Sequence, residues 1–259
     1  QAMKEIILPI RQDGAKTKCY SGANYLVSST RITGMPYIGT SNGWSCNFSR
    51  AALVKKFFST IEDCPLATEA APKDATEADI IALDKAAGTT TKDVQAKAND
   101  DRALFYSGCG GGLRKLQADQ IAGFNSGLSI VKWSNIRTDG AATSHNEFPD
   151  VAIPLIRYAE MYLTRAEAKF RLSGDPQQAR DDIKVLRDRA GASTPATITE
   201  QYIIDEWCRE FYMEGRRRSD LIRFGLFTGD GYLWDFKGGV AEGKSVEDFF
   251  NVYPIPADD

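Results

Sequence analysis

The sequence predicts a mainly α-helical fold with one helical hairpin, long ordered loops and a few short strands. Apolar residues recur at helical spacing from Pro154 to Phe170 and again from Pro176 to Ala190, and a glycine follows each run. Residues 11–48, by contrast, carry Gly, Ser, Thr and Asn throughout without a sustained helical period, which is typical of ordered loops. The helical part therefore lies toward the end of the chain.

Residues 154–191 predict the hairpin. Pro154 suits the first position of a helix that Gly174 can close, and Asp175-Pro176 opens a second helix that ends at Gly191. The apolar positions are Leu155, Tyr158, Ala159, Tyr162, Ala166 and Phe170 in the first helix, and Ala179, Ile183, Leu186 and Ala190 in the second. Small residues at the contact make this a TPR-like hairpin, although the full TPR consensus is absent.

A charged stretch, Thr197–Gly225, follows the hairpin. Thr197 with Glu200 forms a capping-box start, so a helix is expected from there. Its apolar positions are Ile203, Ile204, Trp207, Phe211 and Tyr212. Acids and bases share one helix face, and we interpret them as a structural ion-pair network of Glu206, Arg209, Glu210, Glu214, Arg217, Asp220 and Arg223.

The same acids raise the possibility of glycoside hydrolysis. That reaction needs one carboxylic acid whose pKa is raised, so that it can protonate the leaving group. The neighbouring arginines favour ionised carboxylates and lower their pKa values. We therefore expect no catalytic residue and no enzyme, with a glycosidase as a weaker alternative.

Composition excludes several other classes. With 32 basic and 35 acidic residues the net charge is −3, so there is no electrostatic footprint for nucleic acid. No apolar run is long enough to span a membrane. One histidine and five cysteines without CxxC spacing argue against a metal site, and the pairing of Cys19, Cys46, Cys64, Cys109 and Cys208 stays open.

Motifs in the second half of the chain resemble those of the SusD/RagB family. Glu206-x-x-Arg209-Glu210-Phe211, Glu214-Gly215-x-Arg217, Asp220-Leu221 and Arg223-x-Gly225 resemble its E-R-x-x-E-L, E-G-x-R and D-L-x-R-x-G block. Further segments resemble family motifs in the same order: Ile156–Glu160, Ala166–Ala168, Leu186–Gly191, Tyr232–Lys237 and Val252–Pro256. Trp207 departs from the pattern, because the family often has Arg there.

The resemblance implies a SusD-like fold and a protein exposed on the bacterial outer membrane. Such proteins capture glycans, or peptides in some cases, for a SusC-like TonB-dependent transporter, without catalysis or cofactor. Family members are longer and begin with a lipidated cysteine. We therefore expect this chain to correspond to a C-terminal half, with membrane attachment only through a lipid anchor absent from this sequence.

Aromatic residues on the loops are the candidate glycan-binding side chains. Aromatics between small polar residues can present flat faces to a ligand, and the C–H groups of a pyranose stack on such rings. Tyr37 and Trp44, with Asn42 between them, are the first choices, and Tyr25 and Phe48 are the others. The alternative interpretation is that these rings are core residues. The resemblance implies that this region supplies part of the family's aromatic ligand surface.

The organisation predicted is one structural unit with two parts. Residues 1–150 form a loop-rich, ligand-facing region with a solvated insertion near 67–99, and residues 151–259 form the helical region. Residues 4–10 are expected as a short buried extended segment and His145 as exposed. Asp101-Arg102 resembles a D-x-R or D-R element of the family, with an ordinary surface ion pair as the alternative. The alternative function is a helical scaffold that binds protein or peptide and has no sugar site.

Overall fold

The computed structural model describes residues 2–20, 22–31, 35, 37–41, 43–60, 63–64, 91–106, 127–173 and 176–256. These residues are mainly helical, as the sequence predicts. The helices are α1 (Ala2–Glu5), α2 (Ala23–Ser28), α3 (Ala51–Val54), α4 (Thr91–Ala98), α5 (Tyr158–Ser173), α6 (Pro176–Arg189), α7 (Glu200–Phe211) and α8 (Arg217–Arg223). The strands are β1 (Ile6–Ile10), β2 (Phe105–Tyr106), β3 (Ser129–Ile130) and β4 (Ile153–Arg157), and 3₁₀ helices cover Lys237–Gly239 and Asp248–Asn251.

An antiparallel ribbon of β1 and β4 stands at the start of the helical region. Its register places Pro9 opposite Pro154, with irregularities on both sides of Leu8. Two expectations were wrong here. Residues 6–10 are extended but largely exposed rather than buried, and Pro154 lies in a strand rather than opening a helix. Pairing with β1 holds Pro154 in an extended conformation. Proline is tolerated there because an edge position needs no N–H donor in the ladder.

Helices α5 and α6 form the predicted hairpin. The first helix begins at Tyr158, so Leu155 and Tyr158 are exposed, and Leu163 is buried in their place. In the second helix Ala179, Ile183, Leu186 and the following Ala190 are buried as expected. Gly191 adopts φ +63°, the left-handed conformation that ends a helix most readily at glycine. Gly174, the predicted cap of the first helix, lies outside the described residues.

The charged stretch is two helices rather than one. Its N-cap is Thr199, whose Oγ1 accepts a hydrogen bond from the Tyr202 amide at 3.1 Å, so the capping signal at Thr197 was two residues early. Helix α7 ends at Phe211, and α8 begins at Arg217. Between them Met213 and Gly215 adopt φ values of 60° and 75°, which turn the chain.

Two hydrophobic clusters meet at the end of α7. Phe211 packs with Leu163, Ile183, Trp207 and the other buried residues of the hairpin. The next residue, Tyr212, packs in a second cluster with α3, α4, β2 and β3. Because neighbouring side chains enter different clusters, the acids of α7 lie where the helical and loop-rich parts meet.

The loop-rich part is fixed by backbone contacts rather than by long elements. The Asn135 amide donates to Ile38 O at 2.7 Å, and the side chain of Asn135 donates to Gly39 O at 3.2 Å. Gly39 has φ +90°, and a Cβ there would lie 2.3 Å from the Asn135 carbonyl carbon, so no other residue fits this approach.

The region predicted to be a solvated insertion is described only from Thr91. There Val94 of α4 is fully buried in the second cluster, so this end of the insertion contributes to the core. The rest of the predicted insertion, residues 67–90, lies outside the described part of the chain.

Candidate functional site

An aromatic cluster on helix α2 and the neighbouring loops is the candidate ligand site. Trp44 lies between two tyrosines, with ring centroids 6.2 Å from Tyr20 and 6.4 Å from Tyr25. Phe148 extends the cluster, with its centroid 5.2 Å from that of Tyr20. The tyrosine rings are 62% and 44% exposed, respectively for Tyr20 and Tyr25, so the cluster offers aromatic surface to solvent.

Helix α2 positions Trp44. The carbonyl of Ser28, at the end of that helix, accepts from the Trp44 amide at 2.9 Å. The carbonyl of Ser29 accepts from the amides of Cys46 and Asn47 at 2.9 and 3.0 Å. Ser45 between them has φ 49°, which lets the loop reverse beside the helix end. The loop of residues 44–47 is therefore held by main-chain hydrogen bonds to the buried end of helix α2.

Polar side chains border the rings. The Tyr20 hydroxyl donates to Glu147 Oε1 at 2.9 Å, and this bond to the carboxylate raises the pKa of Tyr20. Asn47 Nδ2 donates to the Tyr25 hydroxyl at 3.1 Å. Buried Asn24 donates to the Glu147 carbonyl at 2.9 Å and holds the loop that carries Glu147 and Phe148. Rings for stacking and groups for hydroxyl recognition thus lie together.

His145 orders this loop from within. Its Nδ1 accepts from the amides of Glu147 and Phe148 at 3.0 and 3.2 Å, and its ring lies 5.2 Å from that of Phe148. The expectation that His145 is simply exposed was therefore wrong. A short polar loop can close on an imidazole acceptor, and spacing alone does not reveal that bond.

The structure brings together some of the predicted glycan-binding residues. Trp44 and Tyr25 belong to the cluster. Tyr37 is 62% exposed, but among the described residues it makes no ring contact with the cluster. Phe48 is half-buried with its Cβ beside Gly127. Asn42 lies outside the described residues.

The predictions missed Phe148 and Glu147 and passed over Tyr20. Tyr20 carries the same signal as its neighbours, an aromatic residue on a polar loop. Glu147 is 127 residues from Tyr20 in the sequence, so nothing local indicates that they pair.

Glu206 and Glu210 of α7, with Glu214 shortly after its end, form a buried ion-pair cluster, which we call the charge cluster. Glu206 contacts Arg102 at 2.8 Å, Arg209 at 2.7 Å and Arg187 at 3.4 Å. Glu210 contacts Arg102 at 2.8 Å, Arg157 at 2.5 Å and Arg189 at 2.6 Å. Glu214 contacts Lys132 at 2.6 Å and Arg157 at 2.8 Å.

Arg102 joins this cluster and is no surface residue. It bonds Asp100 at 2.8 Å as well as Glu206 and Glu210, so the alternative of a surface ion pair with Asp101 was wrong. The reason is the turn at Asp100, whose buried carboxylate accepts from both the amide and the guanidinium of Arg102. Motif spacing could not reveal the acids more than 100 residues away.

Burial and charge act in opposite directions on these acids. Burial alone raises the pKa of Glu210, but Arg157, Arg102 and Arg189 outweigh it and hold the pKa well below its ordinary value. The same balance, with Arg102, Arg209 and Arg187, lowers the pKa of Glu206. Both carboxylates stay ionised, so neither can serve as a general acid near neutral pH.

A second group of charges surrounds Glu167. Arg223 contacts Glu167 at 2.9 Å and Asp220 at 2.9 Å, and Arg216 lies 3.8 Å from Asp220. Burial raises the pKa of Asp220 despite Arg223.

Arg217 is the exception to the predicted network. Its guanidinium donates to the Ile204 carbonyl at 3.0 Å and to the Tyr232 hydroxyl at 3.3 Å, and within the described ranges it forms no ion pair. The turn after α7 directs Arg217 toward the ring of Tyr232, away from the acids of the preceding helix.

A cavity of about 440 Å³ lies beside the charge cluster. The titratable groups that line it already pair with one another, through Glu5, Arg157, Arg189, Glu210 and Glu214. Because each charge is matched within the protein, this cavity offers neither an unpaired acid nor an open cation to a ligand.

Nothing in the described residues suggests a metal centre, since no group of three or more His, Cys, Asp and Glu side chains could hold an ion there.

Among the described cysteines, Cys46 is an exposed thiol and Cys208 is a buried thiol. Burial raises the pKa of Cys208. The described helices are all too short or too polar to cross a membrane.

Comparison with known proteins gives one family. The model of the SusD family matches residues 4–258. The starch-binding protein SusD of Bacteroides thetaiotaomicron is 57% identical over 263 residues, an alignment that covers 100% of this chain and 47% of that protein. The chain thus spans about half the length of this curated relative.

Two solved structures of Bacteroides proteins have a similar fold. A SusD-like protein from Bacteroides fragilis aligns with a TM-score of 0.56 at 19% identity, covering 98% of this chain and 52% of that chain. Surface glycan-binding protein A from Bacteroides thetaiotaomicron aligns with a TM-score of 0.50 at 20% identity, covering 94% of this chain and 47% of that chain. At these identities the likeness establishes a shared fold.

Proposed function

The chain belongs to the SusD family, and from that membership we propose that it binds an oligosaccharide without catalysis, at the bacterial cell surface. The aromatic cluster of Tyr20, Tyr25, Trp44 and Phe148 is the proposed site. The 57% identity to a starch-binding protein favours an α-linked glucan as the ligand.

The observation that carries the proposal is the position of Trp44 between two exposed tyrosines. Three rings at centroid separations near 6 Å form a surface long enough for more than one sugar unit. The C–H faces of glucose can stack on these rings. Because aromatic side chains are rigid, ordering them when the sugar binds costs little conformational entropy. Tyr37, Phe48 and Asn42 stay sequence-based candidates for ligand contact.

Polar groups at the rim supply the directional part of recognition. Asn47 and Glu147 hold the hydroxyls of Tyr25 and Tyr20 beside the rings, and a carboxamide and a carboxylate are groups of the kind that bond sugar hydroxyls. A site built to bond a hydroxyl discriminates against an analogue that lacks it, because its polar groups are then left unpaired. The linkage of the glucan is therefore expected to matter.

Absence of catalysis is supported by the state of the acids. Glycosidases place two carboxylates across the scissile bond, one of them protonated. Glu206 and Glu210 are buried among arginines that keep them ionised, and Glu147 is the carboxylate that bonds to the aromatic cluster. The geometry therefore favours holding a glycan over cleaving it.

Family membership also supports a role in glycan uptake. We propose that the complete protein is attached to the outer membrane by a lipid and delivers its glycan to a TonB-dependent transporter. Copurification of the complete protein with the transporter tests this part, and a protein found unattached to the outer membrane would contradict it.

Calorimetric titration with linear α-linked and β-linked glucan oligomers tests the ligand assignment. We expect binding of the α-linked series and, for Trp44→Ala, a loss of affinity of about tenfold or more, since tenfold corresponds to ~1.4 kcal/mol. Phe249→Ala is the matched control, because Phe249 is an aromatic residue 66% exposed at the other end of the chain.

Variants of Tyr20 separate the ring from its hydroxyl. Tyr20→Phe keeps the stacking surface and loses only the bond to Glu147, so we expect a smaller loss of affinity than for Tyr20→Ala. Unchanged affinity in both Trp44→Ala and Tyr20→Ala would contradict the site. Binding of peptides, with none of any glucan, would favour the helical scaffold instead.

A further inference from the structure

A cavity of about 320 Å³ lies where helices α3, α7 and α8 meet the loop that follows α8. The apolar part of its wall comes from one leucine of α3, one leucine of α8 and three aromatic rings of the loop: Leu53, Leu221, Phe227, Tyr232 and Trp234. Small-molecule sites occupy about 300–1,000 Å³, so this volume is near the lower end of that range. The cavity therefore suits a ligand of one or two rings rather than an oligomer.

Arginines supply the charge of this cavity. Arg50, Arg217 and Arg218 are the only charged side chains among the described residues that line it. The cavity beside the charge cluster differs, because acids such as Glu210 and Glu214 match its bases there. A concave surface that carries charge of one sign attracts ligands of the opposite sign. The wall therefore favours an anion.

Arg217 and Arg218 keep their positive charge without a bonded acid. Arg217 donates to two neutral oxygens, as described above, and Arg218 donates to the Phe250 carbonyl at 2.6 Å. In the described part of the chain, neither side chain forms an ion pair. Asp205, whose charge acts on Arg217 from outside bonding distance, is itself bonded to Lys56 at 2.8 Å.

Each of these two guanidinium groups lies over a ring of the same wall. Arg217 is 5.5 Å from the ring centroid of Tyr232, and Arg218 is 4.9 Å from that of Phe227. Trp234 contacts both rings, with centroid separations of 5.7 Å to Tyr232 and 5.9 Å to Phe227. Cation–π contacts of this kind orient the guanidinium planes. Positive charge and aromatic surface thus adjoin in one concave wall.

We propose that this cavity binds an aromatic carboxylate, with the carboxylate on Arg217 and Arg218 and the ligand ring against Trp234. Guanidinium groups bond carboxylates through paired N–H donors, and aromatic rings pack in offset or tilted pairs. The proposal goes beyond the glycan site and does not depend on it, since none of the four rings of the aromatic cluster lines this cavity.

The chemistry of the wall favours an aromatic body over a sugar acid. Arginine side chains are donors only, and the Tyr232 hydroxyl is the one side-chain oxygen among the described residues that line the cavity. Most hydroxyl donors of a sugar would therefore lose water without gaining an acceptor, which costs free energy. An aromatic ring carries no such groups and loses nothing in this way.

Calorimetric titration of this chain with phenylacetate tests the ligand class. Phenylacetamide has the same ring without the charge, and D-glucuronate has a carboxylate on a sugar ring. We expect phenylacetate to bind about tenfold or more tightly than phenylacetamide, because only the carboxylate gains charge-assisted bonds. We expect no binding of D-glucuronate at the same concentrations. Absence of phenylacetate binding, equal affinity for phenylacetamide, or tighter binding of D-glucuronate would overturn the proposal.

Arginine variants test the location. Arg218→Gln removes one guanidinium and is expected to weaken phenylacetate binding by about tenfold or more. Arg217→Lys keeps the charge and loses the planar fork, so we expect a smaller but measurable loss. Arg180→Gln is the matched control and should bind as the parent does, since Arg180 also donates to a carbonyl, that of Pro195 at 2.9 Å, but does not line the cavity.

Far-UV circular dichroism establishes that each variant is folded, and Arg217→Lys alone decides the location if Arg218→Gln does not fold. Parent-like affinity in the folded cavity variants would overturn the proposal. Displacement of phenylacetate by an α-linked glucan would place it on the aromatic cluster and overturn the proposal as well. A chain that binds phenylacetate but no glucan would contradict only the proposed glycan function.

Discussion

The indole nitrogen of Trp207 donates a hydrogen bond to Glu167 across 3.0 Å, between two buried side chains. Glu167 also accepts from Arg223 Nε at 2.9 Å and from Arg171 Nε at 3.1 Å. Trp207 occupies a position where the resemblance leads one to expect arginine. Its N–H therefore supplies a donor for Glu167, and its ring fills the hydrophobic cluster of the hairpin.

Trp207→Phe is expected to lower the free energy of unfolding by about 1–3 kcal/mol, because it removes a hydrogen bond to a buried carboxylate and part of a packed ring. Urea unfolding measures the change. Trp234→Phe is the control, since the Trp234 ring is half-buried and its nitrogen donates to no acceptor within the described residues. Equal losses in the two variants would mean that the bond to Glu167 contributes nothing.

Arg102 and Arg217 are expected to differ in their contributions to stability. Arg102→Ala leaves Glu206 and Glu210 buried without one of their partners and should cost about 3–5 kcal/mol. Arg217→Ala removes two hydrogen bonds to neutral acceptors and should cost about 1–2 kcal/mol. Chemical unfolding of both variants checks the order, and an Arg217→Ala variant less stable than Arg102→Ala would contradict the assignment of the charge cluster.

The charge cluster should make the protein sensitive to acid. The folded-state pKa values of Glu206 and Glu210 lie below the ordinary 4.5, so the unfolded chain binds more protons as the pH falls. Their contribution is fully present above the ordinary pKa and is lost as the pH falls through the folded-state values. Asp220 acts in the opposite direction, because burial raises its pKa.

We therefore expect the free energy of unfolding to fall between about pH 6 and pH 3, with a shallower fall in Glu210→Gln. Urea unfolding at several pH values measures the slope. Asp188→Asn, which removes a half-exposed acid paired with Lys184, is the control and should leave the slope nearly unchanged. A Glu210→Gln slope equal to that of the parent would contradict the prediction.

Local features of the fold could be predicted from the sequence, and non-local ones could not. Ala179, Ile183 and Leu186 recur at helical spacing, so their burial follows from periodicity. Pro154 carries the signal of a helix start, yet pairing with β1 places it in a strand, because tertiary contacts override local preference.

The residues of the candidate site likewise separate into those indicated by local sequence and those brought in from distant segments. Trp44 could be predicted from residue type and loop context, and Tyr25 from residue type, although Tyr25 lies on helix α2 rather than on a loop. Glu147 and Phe148 could not, because a loop more than 120 residues away places them beside Tyr20. Ion pairs divide similarly: Glu206 and Arg209 are neighbours on one helix, whereas Arg102 and Arg157 come from distant segments.

The sequence distances within the charge cluster bear on the kinetics of folding. Arg157 joins Glu210, 53 residues away, and Glu5, 152 residues away, while the contacting helices α5 and α6 are close neighbours in the sequence. Loop-closure entropy favours early formation of the hairpin, so the distant ion pairs should complete after the rate-limiting barrier. Arg102→Ala should then speed unfolding more than it slows refolding, which stopped-flow measurement of both rates can show. On this view the hairpin sets how fast the native state is reached, and the buried charges set how long it persists.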